Sequence, residues 1–98
     1  MKKPPKNPRE SAEIMAIRAL SFLAEDPERL GVFLSTTGIG PEAIRDAARE
    51  PGFLAGVLEH ILDSEPLLLA FAETAGIDPA EIARARNAFG KTWERDAP

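Results

Sequence analysis

Proline punctuation limits this fold more than any other feature of the chain. Six prolines stand at the head of a segment, in Asn7-Pro8, Asp26-Pro27, Gly40-Pro41, Glu50-Pro51, Ser64-Glu65-Pro66 and Asp78-Pro79. Proline has no amide hydrogen and a fixed φ, so it disrupts the interior of a helix or sheet. It suits the first helical turn, where an amide would have no intrahelical acceptor. Asn7-Pro8-Arg9-Glu10 is a full start signal: a side chain to cap the free amides, a proline, and an acid in the first turn. Asp78-Pro79-Ala80-Glu81 repeats it. Gly38 and Gly76 follow helical runs and can take the left-handed conformation that closes a helix, while Pro51 turns the residue before it out of helix. The spacing predicts helices over 8–25, 27–37, 41–49, 51–63, 65–75 and 79–90.

Nothing points to strands. The β-branched residues are scattered, period-two alternation is absent, and no Asn-Gly or Asp-Gly turn occurs. The expected fold is all-α, a compact bundle of about six short helices. With 98 residues, 44% of them hydrophobic, the chain suits one modest core. The organisation expected is a basic flexible arm over 1–8, one helical domain over 9–90, and a flexible tail over 91–98. The arm carries Lys2, Lys3 and Lys6 but no apolar run, unlike a secretory signal. Charges interrupt every apolar stretch before the roughly 20 residues a membrane span needs, so no membrane association is expected. There is no cysteine, which removes disulfides, thiol nucleophiles and thiolate metal sites and makes the cytoplasm the expected location. The net charge of −4 argues mildly against polyanionic partners.

The chain also repeats itself. Gly38-Ile39-Gly40-Pro41 overlays Gly76-Ile77-Asp78-Pro79, and the same 38-residue offset aligns Leu20 with Leu58, Leu23 with Ile61, Phe33 with Phe71, and Ile44 with Ile82. The matches fall at apolar and turn positions, which predicts two similar three-helix halves over 9–50 and 51–90.

Helical faces rank the segments. Phe53, Leu54, Val57, Leu58, Ile61 and Leu62 fill one side of an ordinary amphipathic helix that covers the core. Leu30 to Leu34 and Leu67 to Ala72 are apolar nearly all round, so each is expected to be enclosed by neighbours or by another protein, which favours a dimer. The segments after Pro41 and Pro79 show only narrow apolar stripes and are expected on the outside.

The motifs Thr37-Gly38-Ile39-Gly40-Pro41-Glu42, Pro51-Gly52-Phe53-Leu54-Ala55 and Leu68-Leu69-Ala70-Phe71-Ala72, with the Phe33-Leu34 helix end, occupy most of residues 11–90. In them the chain resembles a small alphaproteobacterial family called domain of unknown function 3572. The resemblance implies a fold signature without an assigned activity, and it carries over no catalytic residue.

Candidate chemistry is sparse. His60, the single histidine, shares a polar face with Glu59 and Asp63, but one helical turn supplies at best two convergent metal ligands. Ser35-Thr36-Thr37-Gly38-Ile39-Gly40 could offer amides to a phosphate, yet its counterpart puts Asp78 where the anion would sit, so Gly38 is expected simply to end a helix. No catalytic, cofactor-binding or metal-binding residue is therefore assigned, and no cofactor is expected. The leading expectation is a non-enzymatic protein-interaction or structural module with a protein partner or a second copy, contacted through Leu30, Phe33, Leu67, Phe71 and Trp93. The alternative is a helix-turn-helix-like nucleic-acid binder. Ala72, Gly76 and Ile82 have that motif's spacing, and Arg84, Arg86, Asn87 and Lys91 would make the contacts, with Asp78 repelling phosphate.

Overall fold

A computed structural model describes residues 7–90, so residues 1–6 of the expected arm over 1–8, and the expected tail at 91–98, lie outside the described residues. The helices are α1 (Pro8–Ala24), α2 (Pro27–Thr37), α3 (Ile44–Ala47, entered through a 3₁₀ turn at Pro41–Ala43), α4 (Pro51–Leu62), α5 (Glu65–Ala75) and α6 (Pro79–Ala88). Among the described residues there is no strand. Each of the six prolines sits in the first turn of its helix or 3₁₀ segment. Four starts have a side-chain cap. Asn7 accepts from the Glu10 amide at 2.7 Å, Asp26 from Glu28 at 2.9 Å, Ser64 from Leu67 at 3.4 Å and Asp78 from Ala80 at 2.9 Å. Because Asn7 caps and Pro8 opens α1, the helical unit begins slightly before residue 9.

Gly38 and Gly76 close α2 and α5 with φ of 77° and 69°. The Gly38 amide donates to Leu34 O at 2.8 Å, and behind Gly76 the Ile77 amide donates to Ala72 O at 3.0 Å. A side chain in this region is disfavoured by about 1 kcal/mol, which is why glycine stands at both helix ends.

The core is built mainly from α1, α4 and α6, with α2 and α5 against their flanks. On α1, Ala12, Ala16, Ala19, Leu20 and Leu23 form one buried stripe, and α4 contributes Leu54, Ala55, Val57, Leu58 and Ile61. Their alanines let the helix backbones approach closely. From α6 and its C-cap come Ile82, Ala85 and Phe89, at 0%, 9% and 1% exposure.

Two expectations about faces are corrected here. α6 is no peripheral helix, because its narrow stripe lies against α1, α4 and α5. Conversely, α2 and α5 are enclosed on one side only. Phe33 and Phe71 are buried, while Val32 is 57% and Leu69 51% exposed. Three apolar residues presented to the right neighbours bury more than a helix that is apolar all round but has neighbours on one side.

Positions 38 apart are buried alike in Leu20 and Leu58, Leu23 and Ile61, and Phe33 and Phe71. Ring contacts are reciprocal too. Phe22 of α1 meets Phe71 of α5 at 5.3 Å, and His60 of α4, which stands 38 residues after Phe22, meets Phe33 of α2 at 5.1 Å. Thus α5 sets an aromatic ring against α1, and α2 sets one against α4.

Candidate interaction surface

The burial of α1 decides what its opposite side shows. Ala12, Ala16 and Ala19 face inward, so at 3.6 residues per turn Ile14 and Ile17 must point away. They are 49% and 42% exposed, one turn apart. Single exposed aliphatics are ordinary, and these two lie side by side on the outer face of α1. Glu10, Glu13 and Arg18 frame the pair around a hollow of about 390 Å³. A second hollow, about 280 Å³, continues from Ile17 and Arg18 past Ser21 and Phe22 to Phe71 and Ala75 of α5. Nearer the start of α1, on the same flank, a third, about 290 Å³, lies between Ser11, Ala12 and Met15 of α1 and Arg84, Ala85 and Ala88 of α6.

Charged side chains are anchored on both flanks of this ridge. Arg18 donates from Nη2 to the carbonyl oxygen of Ala75 at 3.3 Å, a favourable place for a cation at the C-terminal end of α5. Toward α6, the Arg9 guanidinium lies 5.3 Å from the centre of the Phe89 ring, and its Nε is 3.7 Å from Glu13 Oε2. This last pair is exposed and contributes little to stability.

The residues singled out from sequence scatter over the molecule. Phe33 and Phe71 are in the core and have no surface to offer a partner. Leu30 and Leu67 are half-buried, and Trp93 lies outside the described residues. Of the nucleic-acid candidates, Arg84 and Asn87 are exposed on α6 and Lys91 lies outside the described residues. Arg86 turns inward: Nε donates to Glu59 Oε2 at 2.6 Å, Nη2 pairs with the same oxygen, and Nη1 donates to Gly90 O at 3.1 Å. Its side chain is 14% exposed, so it fastens α6 to α4. The Gly38 turn leads only into a 3₁₀ turn and a four-residue helix, too short to serve as a second recognition element.

The other motifs resolve into structural roles. A Cβ built on Gly40 would lie 2.7 Å from the Glu42 carboxylate, so negative charge already occupies the loop considered for phosphate. Burial lowers the pKa of His60, with the Asp63 charge opposing the shift, and its ring packs edge-on against Phe33. Among the described residues, no group of three or more His, Cys, Asp or Glu side chains is placed to hold a metal ion.

A family model described as a protein of unknown function, DUF3572, matches residues 9–92. The chain belongs to that family. The DUF3572 match takes in all six helices and the ridge of α1, as the resemblance in the glycine turns implied. No curated protein and no solved structure matches the chain. Within the described residues of this DUF3572 chain, no helix is long and apolar enough to cross a membrane.

Sequence reasoning missed Ile14, Ile17 and the charges beside them. The available signal was the spacing of Ala12, Ala16 and Ala19, which marks a close-packing face and places Ile14 and Ile17 opposite it.

Proposed function

We propose that this chain is a non-enzymatic, cytoplasmic protein-interaction module that docks its partner on the outer ridge of α1. The observation that carries this reading is the pair Ile14 and Ile17, side by side and about half exposed, with hollows along the ridge able to receive apolar side chains. Helices dock on such surfaces by inserting anchors at three- and four-residue spacing. Interface cores are apolar and their rims charged, the arrangement that Glu10, Glu13 and Arg18 give the two isoleucines. The dispersal of the remaining polar groups supports a binding rather than a catalytic role. Nucleic-acid binding through α6 loses support, since Arg86 is committed to Glu59 and Gly90.

Site-specific photo-crosslinking tests the proposal. A photoreactive residue at position 17 should give a protein adduct of defined mass in cells that make this protein, and the same probe at exposed Thr36 on α2 should not. Excess protein without the probe should compete the adduct away, while the Ile14→Glu/Ile17→Glu variant should not compete. Equal labelling from positions 17 and 36, or none from 17, overturns the reading.

A further inference from the structure

The ridge of α1 has a polarity that selects its occupant. Glu10, Ile14, Ile17 and Ser21 follow a four-three-four spacing and form one stripe, the seam pattern of a coiled coil, with Ile14 and Ile17 as its apolar layers. Glu13 and Arg18 border it on opposite flanks. Glu13 is paired with Arg9, whose guanidinium also lies over the Phe89 ring, and Arg18 lies toward α5, where it is bonded to Ala75.

Two copies of such a ridge can meet in two symmetric ways. A two-fold axis perpendicular to the helices brings like flanks together, setting Arg18 near Arg18 of the second copy and Glu13 near its own equivalent. An axis parallel to the helices brings opposite flanks together, so that Glu13 of each copy faces Arg18 of the other. The five-residue step from Glu13 to Arg18 is the spacing of the interhelical ion pairs that flank parallel two-stranded coiled coils. Ile14 then stacks on Ile14 and Ile17 on Ile17.

Resting on the docking role proposed for this ridge, we infer that its occupant is the same ridge of a second copy, the two α1 helices lying parallel with two Glu13–Arg18 pairs across the seam. Glu10 meets its own equivalent at one end and Ser21 at the other, so the apolar seam ends after two layers and the dimer is reversible and concentration-dependent.

The absence of native cysteine makes the geometry directly testable. In the full chain, Ile17→Cys places its single thiol opposite itself in the parallel pairing, and mild oxidation should give a covalent dimer at concentrations where Thr36→Cys gives none. Glu13→Arg and Arg18→Glu should each weaken association about tenfold, and the double reversal should restore it to within a few-fold. That rescue separates a contact between copies from the loss of the Arg9 or Ala75 contact within one copy. Crosslinking that requires a mixture of Ile14→Cys and Ile17→Cys chains overturns the parallel arrangement, as does a double reversal without rescue. A strictly monomeric chain in sedimentation at millimolar concentration overturns the inference outright. If position 17 then still gives a specific adduct with another protein, the docking role stands alone. If it gives no adduct, both fall.

Discussion

α3 and α6 both follow a helix closed by a left-handed glycine, yet the two helices differ. After Gly76 comes α6, ten residues capped by Asp78, with Ile82 and Phe89 fully buried. After Gly38 comes a 3₁₀ turn without a side-chain cap and then four residues of α3, with Ile44, Ala47 and Ala48 only half-buried. Turn chemistry alone therefore closes a helix and redirects the chain. The length and stability of the next helix come from what it packs on, because short helices are marginal without tertiary contacts. α6 lies against α1, α4 and α5, whereas α3 packs chiefly on its own 3₁₀ entry, and Pro51 limits its extension.

Truncating the matched isoleucines tests this contrast most strongly. Ile82→Ala should destabilise the fold by about 3–4 kcal/mol in urea unfolding, and Ile44→Ala by about 1 kcal/mol. Equal losses would break the comparison. Next comes Arg86→Met, which removes the link from α6 to α4 and should cost about 1–2 kcal/mol, reduced by the partial exposure of Glu59. Ala48 occupies the matching position in the first half, so α3 has no such link to lose. Gly38→Ala and Gly76→Ala should each cost about 1 kcal/mol, since both need a positive φ. Similar values in thermal or urea melts would separate the shared turn from the unequal helices.

The smallest effect concerns His60 and its counterpart Phe22. Burial lowers the pKa of folded His60 below the ordinary 6.5, with Asp63 opposing. The unfolded chain therefore binds a proton more readily as the pH drops, and stability should fall slightly on acidification from neutrality through 6.5. His60→Phe should flatten that part of the pH profile of urea midpoints. An unchanged slope would assign it to the carboxylates.

The fold was legible because its boundary signals act locally. Asn7, Asp26, Ser64 and Asp78 each bond an amide two or three residues ahead, and Gly38 closes onto Leu34. Such contacts form within one turn and can be read from adjacent letters. The surface was less legible. Phe33 and Phe71 looked available to a partner because their segments are apolar all round, but each had a core position to fill. Arg86 looked like a free cation of a basic segment, and its partner Glu59 stands 27 residues away.

What the letters determined unaided is where each helix begins and ends, since caps, prolines and left-handed glycines interact with their immediate neighbours in the chain. Tertiary structure alone decided that α1, α4 and α6 share the centre and that Arg86 belongs to the scaffold. Burial is a property of two surfaces brought together from distant parts of the chain, so no single segment can specify it.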